Sequence, residues 1–312
     1  MYRKDRRAVQ AKEGRKAERA DHARAGKTGK RHRRAEGAGN GRRPAYMGMV
    51  IFGIMVLVAL LAPVLAPYDP YVSVDQAYLT PSPQHLLGTN DIGQDILSEI
   101  IYGTRTSLAI GLLSAAISLS IGTVLGLLAG WYGGAVDRLV TKLTAFFLTI
   151  PFIPAVIILS AFTKPGLWTT SFVLGIMSWA QTARVVRTQT MEIRNRDDIR
   201  TIRAMGASGG YILRRHVVRE LLPWLMYQGA GRVKSGILSE SSLSFLGLGS
   251  TTQKSWGTII YYAQAKNALL TDAWLWWIIP PGLCIILVSC ALMLMTYGAE
   301  ETSDRRLAAK SE

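Results

Sequence analysis

The chain has 312 residues, a positive mean hydropathy of +0.19 and a formal net charge of +15 at pH 7. An apolar composition with so much charge is hard to reconcile with a single soluble core. The charge is concentrated at one end, because residues 1–44 hold 16 Lys and Arg against 5 Asp and Glu, which leaves +11 in this segment. The rest of the chain is nearly neutral and strongly apolar, a composition typical of a membrane protein.

Residues 1–44 form a basic arm rich in Arg, Lys, Ala and Gly and almost without large apolar side chains. We expect disorder, because such a segment cannot bury enough apolar surface to fold alone. Positive charge before a first span retains the N-terminus in the cytoplasm, and it also attracts anionic lipid. Nucleic-acid binding is a third interpretation, but the arm has no interleaved aromatic residues or base-reading motif. We therefore predict membrane lipids, and no nucleic acid, as its partners.

Six apolar segments approach the roughly 20 residues that a membrane-spanning helix needs. The second is rich in Gly, Ala and Ser, which allow helices to approach closely in lipid. The third contains Pro151 and Pro154, and a proline-broken helix is tolerated in a membrane where it lines a cavity. We expect such a kink here. The segments predict an all-α polytopic membrane protein with spans near residues 47–66, 107–131, 139–162, 169–186, 222–246 and 274–297.

Charged residues orient these spans. No Lys or Arg occurs between Tyr68 and Gly103, where the charged side chains are Asp and Glu, as expected outside the membrane. The loop after the fourth span instead carries nine arginines from Arg184 to Arg219, which predict a cytoplasmic location. Six spans with both termini in the cytoplasm satisfy both observations.

Residues 191–221 interrupt the apolar sequence with a dense basic segment punctuated by glycine. Asn195, Asp197 and Asp198 can cap a first short helix and favour its positive end. Gly206 provides a stop for that helix.

The same segment carries an apolar ridge, because Ile199, Ile202 and Met205 recur at three-residue steps on one helical face. Gly209 and Gly210 would separate this helix from a second short one. Two short helices with an apolar ridge and a basic flank suit docking into a groove on a soluble protein. The alternative is a solvated basic loop that only follows the topology.

Ionisable residues lie inside the fifth predicted span, at Arg232, Lys234 and Glu240. Such groups are costly in a membrane and usually face a bundle interior or a watery cavity. One interpretation is that they line a translocation pathway together with Ser244. The other is that Arg232 and Lys234 extend their charged ends to the membrane interface from a shorter or shifted helix.

Three stretches carry recognisable motifs: LLGTNDIGQDILSEIIYGTRTSL from Leu86, LSESSLSFLGLGS from Leu238 with SWGTII from Ser255, and SDRRL from Ser303. They resemble the inner-membrane permease subunits of ABC importers for dipeptides, oligopeptides and, in some members, nickel, with Gln94 standing where arginine is usual. The resemblance covers roughly residues 45–307. It implies the C-type subunit and the type I ABC importer permease fold. The implied signature residues are Gly88, Asp91, Gly93, Asp95, Phe245, Gly247 and Gly249.

The resemblance also implies a role for the basic segment. In the family this loop holds a coupling motif of glutamate, two alanines, three variable residues and glycine, whose two short helices enter a cleft of the ATPase subunit. Gly206 takes the glycine position, whereas Arg200 stands at the glutamate position and Arg219 at a usual proline position. The implied coupling helices span residues 195–220. The implied ATPase-coupling residues are Asp198, Arg200, Ile202, Arg203, Ala204, Gly206, Ala207 and Ser208.

By the same resemblance, the chain is a bacterial inner-membrane permease subunit of an ATP-driven peptide importer. Its implied partners are a homologous permease subunit, two ATPase subunits and an extracytoplasmic solute-binding protein. The chain has no glycine-rich phosphate loop. We therefore predict no enzyme activity, catalytic residue, metal site or cofactor in this chain, with ATP and Mg²⁺ bound by the partner ATPases.

We divide the chain into a basic cytoplasmic arm (1–44), a first transmembrane helix with an extracytoplasmic segment (45–104), a permease core (105–300) and a cytoplasmic C-terminal tail (301–312). A permease for nickel or another small solute is an alternative. A secondary transporter is a further alternative. It would be expected to show inverted repeats and intramembrane carboxylates, of which Glu240 is one.

Overall fold

The computed structural model describes residues 42–310, and the side chains of residues 43–297. Every regular element in this part of the chain is helical, as the sequence predicts. The basic arm predicted for residues 1–44 lies outside the described residues, apart from the start of the first helix.

The helices fall into two groups on either side of the basic segment. The first group is α1 (Arg42–Leu60), α2 (Ala62–Leu65), α3 (Ile96–Tyr132), α4 (Gly134–Thr149), α5 (Phe152–Ala161) and α6 (Leu167–Asn195). The second group is α7 (Asp197–Ala204), α8 (Gly209–Ile212), α9 (Val218–Leu243), α10 (Trp256–Ala265), α11 (Trp274–Trp277) and α12 (Ile279–Lys310). Two π-helical turns, Leu213–Val217 and Ser244–Leu248, precede and follow α9, and a 3₁₀ turn, Ala268–Leu270, follows α10.

Three helical stretches of the described chain are long and apolar enough to cross a membrane: Arg43–Leu60, Ile96–Tyr132 and Trp274–Tyr297. The pair of α4 and α5 is a fourth candidate, with a bend of 86° between the two helices. Helices α6 and α9, which cover the fourth and fifth predicted spans, do not reach this standard of length and apolar composition.

A proline break, rather than a kink within one helix, separates α4 from α5. Helix α4 ends at Thr149, Ile150 is extended with ψ of 126°, and Pro151 precedes the next helix as its N-cap. Proline lacks an N–H and disfavours helical backbone at the residue before it. Pro154 lies in the first turn of α5, where a missing N–H costs no intrahelical bond. The single span predicted for residues 139–162 is therefore two helices.

Helices α3 and α6 form the most extensive helix contact in the described chain. Gly122, Gly126 and Gly130, spaced four residues apart, bring one face of α3 against α6. The contacts advance in the same direction along both helices, from Gly122 with Thr182 to Gly130 with Thr190, so the helices are parallel. Small residues thus allow the close approach that the sequence predicts.

Helix α9 packs antiparallel against α3. Gly111 meets Ile237, and further along α3 Leu119 meets Gly229. Helix α12 packs against α1 and α9, and α10 completes an apolar core around the fully buried Trp256. Helix α3 is therefore in contact with both α6 and α9.

We expect Gly126→Ala to weaken the contact between α3 and α6. An added Cβ would lie 2.7 Å from the carbonyl oxygen of Ala183 and 2.8 Å from Cβ of Val186, so one helix must shift. Such overpacking costs about 1–3 kcal/mol, and thermal unfolding of the purified protein should show a lower midpoint. Gly53→Ala is the matched control, because nothing lies within 4 Å of a Cβ added there. An equal loss in both variants would contradict this account.

Candidate functional site

The basic segment begins with α7, which follows directly on α6. Asn195 belongs to the last turn of α6, and Arg196, extended with ψ of 149°, is the N-cap of α7 without any side-chain cap. The predicted capping role of Asn195 is therefore wrong, because its backbone is still helical. Asp197 and Asp198 lie in the first turn, where negative charge favours the positive helix end. Gly206, with φ of +91°, follows the end of the helix and provides the predicted stop.

Apolar side chains attach α7 to the ends of α3 and α6. Ile199 is 2% exposed and lies in a cluster with Trp131 of α3, and Ile202 packs against the same cluster. Met205, predicted on the same ridge, is 81% exposed, because α7 ends at Ala204 and its helical spacing does not continue. The ridge therefore faces the protein itself.

The outward face of α7 and the turn after it form an exposed surface, here called the α7 surface. Six of the eight residues predicted to couple to an ATPase lie on it, whereas Ile202 and Ala207 are half-buried against the apolar cluster. Arg203 also stacks over the ring of Trp131, with its guanidinium carbon 4.8 Å from the ring centroid. The α7 surface consists of Asp198, Arg200, Arg203, Ala204, Met205, Gly206 and Ser208.

The second predicted coupling helix is continuous with α9. Gly209 and Gly210 are the first residues of α8, not a linker before it. Ser208 caps α8, because its Oγ accepts a hydrogen bond from the backbone N–H of Tyr211 at 3.4 Å. Gly209 lies against the indole of Trp131, where an added Cβ would be 3.2 Å from Nε1. From α8 the chain passes through the first π-turn directly into α9.

Arg196 links the first helix of the basic segment to the start of α9. Its guanidinium donates hydrogen bonds to Asp198 of α7 at 3.1 Å and to Glu220 of α9 at 2.5 Å. The hydrogen bonds from Arg196 hold the pKa of the Asp198 carboxyl below its ordinary value. Such partly exposed pairs contribute little stability each. They link α7 to the first turn of α9 at the surface.

A cavity of about 610 Å³ lies where α3, α6 and α9 meet the break between α4 and α5. The break contributes Ile150, Pro151 and Phe152 to the wall, which confirms that the proline-interrupted segment lines a cavity. Helix α9 contributes Arg232, the only charged side chain among the described lining residues. Its Nη2 donates a hydrogen bond to Oε1 of Gln181 at 3.2 Å.

The four residues predicted to form a translocation pathway are not brought together. Arg232 lines the cavity, whereas Lys234, two residues further along α9, is not part of the wall. Glu240 and Ser244 are each 2% exposed and belong to a separate polar cluster. Among these four, Arg232 alone faces the large cavity.

Hydroxyl groups from three parts of the chain surround Glu240. Ser244 and Ser255 each donate a hydrogen bond of 2.7 Å to its Oε1, and Ser107 of α3 donates one of 3.4 Å to its Oε2. Such donors offset part of the cost of burying a carboxylate. The Ser107 hydroxyl also accepts a hydrogen bond from the backbone N–H of Trp256 at 3.2 Å. The cluster thereby connects α3, α9 and α10.

The first signature stretch forms a tight turn that leads into α3. Asp95 is the N-cap of α3, and its Oδ2 accepts a hydrogen bond of 2.8 Å from the backbone N–H of Ser98. Gly93 has φ of +79°, and an added Cβ would lie 2.0 Å from the carbonyl oxygen of Asp75. Only glycine fits this position.

Lysines from a distant part of the chain meet the acids of this turn. Lys254 donates hydrogen bonds to Oε1 of Glu99 at 2.6 Å and to Oε1 of Gln94 at 2.7 Å, and Lys266 pairs with Asp91 at 3.0 Å. An arginine at position 94, usual in the resembling family, would place a second cation beside Lys254. Sequence reasoning missed the pair of Lys254 and Glu99, because 155 residues separate them and neither stands out by its spacing.

The remaining signature residues shape the turns that carry these polar side chains. Gly88 lies against the backbone of Leu79, and Gly249 lies against the hydroxyl of Ser244, so an added Cβ would clash at either glycine. Two further signature residues lie in the second π-turn, where Gly247 has left-handed backbone and Phe245 is exposed.

Within the described residues, no group of three or more His, Cys, Asp or Glu side chains is arranged to hold a metal ion. The location of ATP and Mg²⁺ in partner subunits stays a prediction.

Comparison with protein families identifies the class of the protein. The family described as the binding-protein-dependent transport system inner membrane component matches residues 122–309. The chain belongs to this family. A second model, the N-terminal TM domain of oligopeptide transport permease C, matches residues 42–85. The protein is therefore a multi-pass inner-membrane permease subunit of a binding-protein-dependent transport system, not a secondary transporter.

Similar proteins from several bacteria have peptide permease names. The chain is 32% identical to the dipeptide transport system permease protein DppC of Haemophilus influenzae, over 85% of this chain and 91% of that protein. It is 34% identical to the di/tripeptide transport system permease protein DppC of Pseudomonas aeruginosa, over 83% and 87%. It is 30% identical to the probable D,D-dipeptide transport system permease protein DdpC of Escherichia coli, over 84% and 87%.

Solved structures confirm the fold. Two crystal forms of the inward-facing MetNI methionine ABC transporter match with TM-scores of 0.52 and 0.51, at 20% and 22% identity. The matches cover 65% and 69% of this chain and 97% of each solved chain. The likeness confirms the helical fold of an ABC importer permease that the sequence predicts.

We expect Lys254→Met to destabilise the protein, because the Glu99 carboxylate would stay buried without its cation. Breaking a buried pair on one side costs about 3–5 kcal/mol. Adding Glu99→Gln should recover much of this loss, because an amide needs no counter-ion. Thermal unfolding of the two single variants, the double variant and the unaltered protein forms a double-mutant cycle. If the losses of stability in the two single variants add up in the double variant, the side chains do not interact directly. Lys266→Met is the control, and it should cost less stability because the pair of Lys266 and Asp91 is more exposed.

Proposed function

We propose that this permease subunit imports peptides. The observation that carries the substrate class is the agreement among its relatives, whose names specify dipeptide or di/tripeptide transport. The cavity of about 610 Å³ has the size of a site for a small organic molecule. Nickel or another small solute is the alternative cargo. The positive wall at Arg232, with no acid, His or Cys among the described lining residues, favours an organic solute over a metal cation.

Six membrane spans with both termini in the cytoplasm are part of this proposal. The parallel course of α3 and α6 supports it, because the chain must cross back between them and the bent pair of α4 and α5 supplies that crossing. Helix α9 then returns antiparallel to α3. The nine arginines from Arg184 to Arg219 lie between the second half of α6 and the first turn of α9, which supports a cytoplasmic location for this end of the two helices.

The proposed complex contains this chain, a homologous permease, two ATPase subunits and an extracytoplasmic solute-binding protein. An ATPase subunit docks on the α7 surface, which is exposed outward and held from beneath by Ile199. Arg200 has 66% of its side chain exposed, and this positive charge would be complementary to acidic groups in the ATPase cleft. ATP hydrolysis takes place in the partner subunits. Movement of the docked ATPase is transmitted to α9, because α8 is continuous with it.

Uptake by the reconstituted complex tests the substrate class. The five proteins would be assembled in vesicles loaded with ATP, and radiolabelled dialanine or radioactive nickel ion would be added outside. We expect uptake of dialanine that requires both ATP and the solute-binding protein, and no uptake of nickel. Nickel uptake without peptide uptake would replace the proposal by its alternative.

We expect Arg200→Glu to uncouple ATP hydrolysis from transport, although it introduces the glutamate usual in the family. An acidic cleft would then face a carboxylate, and such like-charge contacts cost several kcal/mol. Peptide imported per ATP hydrolysed should fall by about tenfold or more. Arg138→Glu, at an exposed arginine of α4 outside the α7 surface, is the control. Unchanged or improved coupling in Arg200→Glu would count against an acidic partner.

A further inference from the structure

We propose that Arg232, oriented by Gln181, forms a subsite for the carboxylate of the transported peptide. The inference rests on the proposed function, because it takes the cargo to be a peptide. It assigns a selective contact to the membrane subunit itself, in addition to any selection by the solute-binding protein.

Arg232 gives the cavity wall an unbalanced positive charge. No other described lining residue is charged, and the described contact of its guanidinium is with the neutral amide of Gln181. That hydrogen bond orients the guanidinium without neutralising it. A guanidinium has five N–H donors in a planar fork, so donors remain for a bidentate carboxylate. An anion in the cavity would stabilise a charge that is costly inside a membrane.

Ser118 borders the cavity, but its hydroxyl is not open to it. It is 0% exposed, it lines the same cavity, and its Oγ has no hydrogen-bond partner in the described chain. Most buried hydroxyls are hydrogen-bonded. On the same wall, the hydroxyls of Ser114, Ser178 and Ser235 donate to backbone carbonyls of their own helices. The unpaired Oγ of Ser118, like that of Thr182 on the facing helix α6, is covered by the packing of α3 against α6 and cannot reach a ligand.

Helix packing places Arg232 where α9 meets α3 and α6. On the antiparallel pair of α3 and α9, Leu119 contacts Gly229. The turn of α9 that leads to Arg232 therefore lies against α3. Gln181 reaches Arg232 from α6, so the guanidinium is held between two helices.

The apolar part of the wall suits the side chains of a short peptide. The region around the break between α4 and α5 contributes Phe147, Leu148, Ile150 and Phe152 to the lining. An apolar surface facing a few convergent polar groups is typical of a site that orients a small ligand. A peptide would place its carboxylate at Arg232 and its side chains against this apolar wall.

A peptide and its C-terminal amide distinguish this subsite from a general structural role of Arg232. Complexes with wild-type chain or Arg232→Gln would be reconstituted with all partners in phosphatidylcholine vesicles. Dialanine and dialanine amide would be supplied at equal occupancy of the solute-binding protein. We expect Arg232→Gln to lower dialanine uptake about tenfold, equivalent to roughly 1.4 kcal/mol, and to leave amide uptake unchanged.

Three controls establish the cause of such an effect. Arg232→Lys retains the positive charge and should retain most dialanine uptake. Arg184→Gln removes an exposed cation of α6 that is not part of the cavity wall, and both uptakes should stay unchanged. Copurification of the ATPases with each variant verifies assembly.

The outcomes separate this inference from the proposed function. Equal losses for the peptide and its amide, or no loss for either, would overturn the subsite while peptide import stands. A loss that appears only in vesicles with added phosphatidylglycerol would assign Arg232 to a lipid phosphate and overturn the subsite as well. A wild-type complex that imports neither compound would overturn the proposed function and the subsite together.

Discussion

Close packing of α3 against α6 is the constraint on which the rest of the structure depends. Glycines four residues apart let two long parallel helices touch along their length. Because the helices are parallel, the chain must return between them, and the return segment supplies the break that walls the cavity. Trp131 at the end of α3 and Ile193 near the end of α6 share the apolar cluster beneath α7. One helix contact therefore determines the positions of both the cavity and the α7 surface.

Buried charge occurs in two different settings in this fold. Glu240 is surrounded by hydroxyl donors, and Glu99 meets the ammonium group of Lys254. Such satisfied clusters rigidify the structure around them. Arg232 instead faces open space with one neutral partner. Arg232 is therefore a cavity-facing charge, whereas Glu99 and Glu240 are satisfied within the fold.

Local patterns in the sequence predicted the helical class, the stop at Gly206, the small-residue packing of α3 and the cavity beside the proline break. Contacts between distant segments could not be predicted in this way, because one sequence does not say which lysine meets which acid, as with Lys254 and Glu99. Two cations close together in a helix can also point to different faces, because a helix turns about 100° per residue. Only the packing of α9 shows that Arg232, and not Lys234, reaches the cavity. The prediction that Met205 lies on the apolar ridge was wrong, because it depended on where α7 ends.

Helix α8 continues through the π-turn into α9 without an intervening loop, so the three elements form one long helical segment. At 1.5 Å per residue, residues 209–243 form a rod of about 50 Å, longer than the hydrocarbon core of about 30 Å. One end lies beside the α7 surface, the other carries Glu240, and Arg232 lies between them. A tilt of this rod moves its two ends in opposite directions, so its length alone amplifies a small displacement. The π-turn and Pro223, where regular helical hydrogen bonding is interrupted, are the places where such a rod would bend.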